Sequence, residues 1–137
     1  MTKQEIDRRV QEARELHGRG FNCAQAVFGA CAGLYGIEEE RALKLSASFG
    51  GGMGSMREVC GCCSAMFMIE GLRSGSTTAG DRVGKLHNYK RVQELAEQFK
   101  QQHGGSIICR ELLANPANPS CTEKCANAVR IVLENAG

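Results

Sequence analysis

Apolar residues recur at spacings of three and four along almost the whole of this chain, and nowhere do they alternate for long enough to suggest a strand. In residues 3–18, Ile6, Val10, Ala13 and Leu16 form one face, and Gly18 and Gly20 end the helix. Asn22 is a good N-cap for a second helix carrying Cys23, Val27, Ala30, Cys31 and Leu34, with Gly36 as its stop. A third is expected over 38–48, using Ala42, Leu45 and Phe49. The segment 59–73 is almost wholly apolar after its cysteines, which predicts a central, buried helix. A long amphipathic helix follows over 81–103, with Val83, Leu86, Val92, Leu95, Ala96 and Phe99. After a short turn at 109–113 and a proline-containing connector at 115–119, the last helix, 121–135, opens on Ser120-x-x-Glu123, a capping-box pattern. One segment breaks this series. Phe49-Gly50-Gly51-Gly52-Met53-Gly54 is too rich in glycine for a helix interior and reads as a loop of positive φ or close backbone approach. The expectation is an all-α fold: one compact domain over 1–137, a bundle of five to six helices with a Gly-rich loop.

The 137 residues suffice for one proper core, and a formal net charge of +2 with no block of like charges argues against a nucleic-acid partner. The polar N-terminus, with Glu5 and Asp7, resembles neither a signal nor a transit peptide. The most apolar stretch, Ser64–Ile69, is too short to span a bilayer and is ended by Glu70. The expectation is therefore a cytoplasmic protein with no membrane insertion. In a reducing cytosol eight cysteines point to metal binding or redox work before structural disulfides.

Where the cysteines fall sharpens this. Cys23, Cys60, Cys109 and Cys121 all sit where a helix should begin. There, unpaired N–H groups and the positive end of the macrodipole favour an anion, and the thiolate is both nucleophile and metal ligand. Cys60 and Cys63 make a C-x-x-C pair, suited to attack and resolution in thiol–disulfide exchange or to two ligands of a zinc or iron site. Cys121 and Cys125 share one helical face, in position to chelate or to pack in the core. Cys31, among alanines, reads equally as a small buried hydrophobe. The glycine loop lacks a P-loop's Gly-Lys-Ser/Thr ending and a preceding strand. Gly51, Gly52 and Gly54 are candidates to approach a cofactor closely and to offer N–H donors to sulfur. Of the histidines, His87 is the one weak ligand candidate, and His103, near a helix C-terminus, reads as a surface residue.

Several separated blocks carry a resemblance. Asn22-Cys23-Ala24-Gln25-Ala26-Val27, the glycine run, Glu58-Val59-Cys60-Gly61, Ser106 to Leu113, and Cys125-Ala126-Asn127-Ala128-Val129-Arg130 occur in order. Together they resemble the redox-active proteins named for a C_GCAxxG_C_C cysteine pattern, over about residues 20–133. The resemblance implies that Cys23, Cys60, Cys109 and Cys125 are the four characteristic cysteines. That family is itself similar to the non-haem part of split-Soret cytochromes, which implies an iron–sulfur cluster. The chain departs from the pattern at its centre, where Cys60-Gly61-Cys62-Cys63-Ser64-Ala65 replaces Cys-Gly-Ala-x-x-Gly, so Cys62 and Cys63 are extra thiols.

The reading is a small redox protein holding an iron–sulfur cluster through Cys23, Cys60, Cys109 and Cys125, for electron transfer or redox sensing. Cys62, Cys63 and Cys121 are substitute ligands. Two alternatives stay open: a thiol–disulfide oxidoreductase with Cys60 and Cys63 as its catalytic pair, and a structural zinc protein using Cys60, Cys63, Cys121 and Cys125. A redox partner protein is implied without being identified, and a homodimer is left open.

Overall fold

A computed structural model describes residues 1–136. It contains seven α-helices among those residues: α1 (Lys3–Gly18), α2 (Cys23–Cys31), α3 (Glu39–Ser46), α4 (Gly61–Ser74), α5 (Arg82–Gln102), α6 (Cys109–Ala114) and α7 (Cys121–Glu134). The all-α architecture is as expected, but the count exceeds five to six. Cys109–Ala114, expected as a turn, is a short helix. Two 3₁₀ turns, Ala32–Tyr35 and Ala47–Phe49, extend α2 and α3.

Helix starts follow local chemistry. Thr2 Oγ1 accepts from the Glu5 N–H at 3.2 Å and caps α1. At α2 the capping box is complete: Asn22 Oδ1 accepts from Gln25 N at 2.9 Å, and Gln25 Oε1 accepts from Asn22 N at 3.1 Å. At α7 only half of the expected box forms. Ser120 Oγ accepts from Glu123 N, while the Glu123 carboxylate accepts from Arg14 Nε and Nη2 at 3.0 and 3.1 Å. The pair ties α7 to α1; it is partly exposed and contributes modestly to stability.

α2 lies at the centre, packed against α1, α3, α4 and α7. Its small residues make this possible. Ala24, Ala26, Ala30 and Gly29 are buried, and a Cβ on Gly29 would come within 3.1 Å of Leu16 and Leu43. α1 and α7 pair along their lengths, α4 sits against α2, α5 and α7, and the core closes around Leu16, Met66, Ile69, Leu95, Phe99 and Val129.

Several expected core positions are exposed instead. Val83 is 82% exposed and Leu86 54%, because α5, about 31 Å long at 1.5 Å per residue, outruns α4 at about 21 Å. Leu45 and Leu34 also face outward. His103 is the opposite correction. It is fully buried, stacked on Phe99 with ring centroids 4.0 Å apart. Its Nδ1 lies 2.8 Å from Phe99 O, and its Nε2 lies 3.1 Å from Asn127 Nδ2. A carbonyl can only accept and an amide nitrogen can only donate, so the ring is neutral with its proton on Nδ1. His87 is exposed, in a surface depression beside Glu70 and Arg91 and away from the cysteines.

The glycine segment is more than a flexible loop. Gly51, Gly52, Met53, Gly54, Ser55 and Arg57 all have φ between 58° and 72°, a run of left-handed residues. It is closed by bonds from Ser55 N to Gly50 O, Arg57 N to Gly51 O and Glu58 N to Gly52 O, at 3.0–3.1 Å. Met53, Ser55 and Arg57 each accept a conformation that costs a non-glycine residue roughly 1–2 kcal/mol. The segment ends in an isolated antiparallel bridge between Val59 and Ile108.

The stacked Phe99 gives a direct check on this core. Phe99→Ala removes a fully buried ring and the platform under His103, and should destabilise the fold by about 3–5 kcal/mol in urea unfolding. A loss under about 1 kcal/mol would contradict the packing described.

Candidate functional site: a cavity of converging thiols

Four cysteines begin helices. Cys23, Cys109 and Cys121 are the first residues of α2, α6 and α7, and Cys60 is the cap residue of α4. Cys60 makes no side-chain cap bond; its carbonyl accepts from Cys63 N and Ser64 N at 2.9 and 3.0 Å, leaving its sulfur free to turn to the other thiols. The bridge at Val59 and Ile108 fixes Cys60 relative to Cys109. Cys60 N donates to Ile107 O at 2.8 Å, and Cys109 N donates to Glu58 O at 2.6 Å.

Helix packing then brings the starts of α2, α4, α6 and α7 to one cavity of about 200 Å³, lined by Cys23, Cys60, Cys62, Cys109 and Cys121. Behind this wall Cys62 Sγ donates to Cys125 Sγ at 3.7 Å, and Cys125 Sγ donates to Cys23 O at 3.8 Å. Cys63 is buried against Cys60. Of the residues singled out in the sequence, Cys23, Cys60, Cys63 and Cys125 thus belong to one contact network, and Cys109 faces the same space. Cys121 stands exposed at the rim, and Cys31 is sealed in the core, where burial pushes its thiol up to about 12.

Close approach depends on missing side chains. A Cβ on Gly61 would lie 2.6 Å from Cys23 Sγ, and one on Gly52 would lie 2.6 Å from Cys109 Cβ. Gly51 lines the cavity. Gly54 faces the Ser48 carbonyl instead, and among the described residues no backbone N–H of the glycine run donates to a sulfur. The donor comes from Arg57, whose Nη1 reaches Cys109 Sγ at 3.7 Å.

The thiols are not equivalent. Hydrogen bonding from Cys23, with Cys62 and Cys63 adding to it and the Cys62 N–H contributing, holds Cys60 far below the ordinary thiol range against its own burial. Its partners carry the reciprocal effect. The bond to Cys60 is the main cause that pushes Cys23 up to about 11. Cys62 is raised chiefly by its bond to Cys125, and Cys63 chiefly by burial. These directions favour ionisation at Cys60 over its neighbours, as does its place at the positive end of α4.

Cys62 was legible in the sequence only as an extra thiol and substitute ligand, and Gly61, His17 and Lys124 had no signal there. Cys62 bridges the Cys60 and Cys125 sides. Gly61 matters for the space it leaves. His17, bonded through Nδ1 to Thr122 Oγ1 at 2.7 Å, and Lys124, from the first turns of α7, complete the cavity wall.

The model of the family described as "Putative redox-active protein (C_GCAxxG_C_C)" matches residues 21–136, and the chain belongs to that family. No curated protein and no solved structure matches the chain. The four cysteines that the resemblance implies are characteristic, Cys23, Cys60, Cys109 and Cys125, lie on α2, the cap of α4, α6 and α7.

The inequality of the thiols can be measured. Iodoacetamide labelling with peptide mapping on metal-free, reduced protein should modify Cys60 at about pH 6, where an ordinary thiol is protonated. Lowering the pH quenches labelling only as it falls through the folded pKa, which for Cys60 lies below its unfolded value and for Cys23 and Cys63 above it. Labelling of Cys23 ahead of Cys60 at that pH would contradict the assignment.

Proposed function

We propose that this member of a redox-active family holds an iron–sulfur cluster in the thiol cavity and uses it for electron transfer or redox sensing. The observation that carries the reading is the convergence on one space of thiols separated by tens of residues in sequence, on the starts of four different segments. The donor set suits the group: soft thiolates favour iron–sulfur clusters, zinc and copper(I) over hard cations. Among the described residues no group of three or more His, Cys, Asp or Glu is already set around a single ion. The Cys62–Cys125 sulfur separation of 3.7 Å nevertheless matches the edge of about 3.8 Å for thiolates tetrahedral about a metal with 2.3 Å bonds. The thiols are also spread around a space rather than focused on a point, which suits a multi-atom group.

The residues that would hold it are Cys23, Cys60, Cys109 and Cys125, with Cys62 touching both Cys60 and Cys125 and able to replace either. When bound, such a cluster supplies one-electron exchange at a potential set by charge, hydrogen bonds to sulfur and solvent exposure. The protein's part is to neutralise and order the thiolates. Arg57 donates to Cys109, and the cap position of α4 favours charge on Cys60. Gly52 and Gly61 keep the backbone close enough to leave no space between loop and sulfur.

A second reading rests on the contact between Cys63 and Cys60. As a dithiol, Cys60 thiolate would attack a disulfide, releasing one thiolate and forming a mixed disulfide. The Cys63 sulfur would then displace the second thiolate, leaving a Cys60–Cys63 disulfide and a substrate reduced by two electrons.

Anaerobic purification with iron and acid-labile sulfide analysis separates the two readings. The cluster reading expects both elements with visible absorbance, and loss of that absorbance in Cys23→Ser and in Cys109→Ser. Colourless protein that reduces disulfides and loses that activity in Cys63→Ser favours the dithiol. Stoichiometric zinc without sulfide would overturn both. A Cys23/Cys109 double serine variant with unchanged spectrum would exclude those two as ligands.

A further inference from the structure

The cavity wall holds one charged side chain that has no ion pair or hydrogen bond among the described residues. Lys124 lies on α7 between the rim thiol Cys121 and the buried Cys125, is only 5% exposed, and lines the same cavity as Cys60, Cys62 and Cys109. Its backbone N–H belongs to the α7 ladder, bonding Ser120 O at 2.9 Å. Among the described residues its ammonium has neither an ion pair nor a hydrogen bond to the protein, although Glu123 beside it is paired with Arg14. The other cation at the wall, Arg57, already donates to Cys109. Lys124 is buried, but its ammonium is not a sealed unpartnered atom, which leaves the charge open to the cavity and its contents. It lines a space walled by thiols, so a negative charge inside the cavity meets a cation that no protein group neutralises among the described residues.

We propose that Lys124 makes this cavity selective for anionic occupants and reactants, and that its charge raises the reduction potential of any cysteine-bound group held there. The second part rests on the cluster reading; the first does not. A cation in the wall of a cavity partly screened from water acts on an anion inside it more strongly than it would in bulk water. A neutral small reactant gains nothing from it, whereas a carboxylate, an inorganic sulfur anion or an anionic thiol is drawn to the thiols. Addition of an electron makes a cysteine-bound cluster more negative, and a fixed cation beside it favours that state. The proposed ligand class is therefore a small anion with soft or thiol-reactive chemistry. Lys124 is a positioning residue that acts through charge and forms no bond to the reacting sulfur.

The test compares Lys124→Met with Lys124→Arg, both in a Cys121→Ser background so that the exposed rim thiol does not dominate labelling. On metal-free, reduced full-length protein, Cys60 is labelled with anionic iodoacetate and with neutral iodoacetamide, and the ratio of the two rates is read by peptide mapping. The ratio should fall about tenfold in Lys124→Met and recover in Lys124→Arg, with thermal unfolding confirming that both variants fold. In protein isolated with iron and sulfide, the Lys124→Met potential should move to more negative values with iron content unchanged. An unchanged rate ratio overturns anion selectivity whether or not a cluster assembles. An unchanged potential in iron-loaded protein overturns the second part. Absence of iron and sulfide in the unsubstituted protein counts against the cluster reading alone, because the rate ratio still decides the role of Lys124.

Discussion

The site depends on how closely the start of α4 approaches the start of α2. With no side chain on Gly61, the Cys23 sulfur can come within reach of Cys60, and the packing of small residues along α2 holds that approach. A methyl group at residue 61 would sit 2.6 Å from the sulfur, a separation that no packed structure tolerates without movement. The rest of the thiol network follows from that contact. Cys62 and Cys63 ride on the first turn of α4, and Cys125 reaches them from α7. A cavity rather than solid core remains between them and α6.

Electrostatics explains why such an arrangement persists. Burying several thiols as neutral groups is inexpensive, but any of them that ionises needs compensation. The chain offers Cys60 three sulfur partners and a helix start, Cys109 an arginine, and the cavity as a whole a lysine with no partner among the described residues. Cys23, Cys62 and Cys63 are pushed up while Cys60 is driven down. This is the pattern of a site that separates roles between like groups, whether the eventual task is ligation or nucleophilic attack.

The left-handed run from Gly51 to Arg57 belongs to the same design. Strain at Met53, Ser55 and Arg57 is tolerated because the segment is tied at both ends: by its own turn bonds and by the Val59–Ile108 bridge. Its yield is positional. It lays Gly52 against Cys109 and aims Arg57 at that cysteine's sulfur. Glycines alone would make the turn; the non-glycine residues held at positive φ fix where the arginine points.

Periodicity, caps and glycine stops sufficed to define the all-α class, most helix boundaries and the placement of four cysteines at helix starts, because these are set by neighbours along the chain. The patterned positions went wrong where only tertiary neighbours decide. Val83 and Leu86 look like core on a helical wheel but lie beyond the end of α4, and His103 looks like surface but is covered by α7 through Asn127. The family blocks marked Cys23, Cys60, Cys109 and Cys125 as characteristic, yet nothing local could say that Cys62 sits between two of them. Nor could sequence reveal the space left by Gly61 or the place of Lys124 in the wall of the thiol cavity. A residue's type and its near neighbours determine which chemistry it can perform. Which groups share a cavity is settled by long-range packing, since contacts between segments tens of residues apart depend on every helix that lies between them.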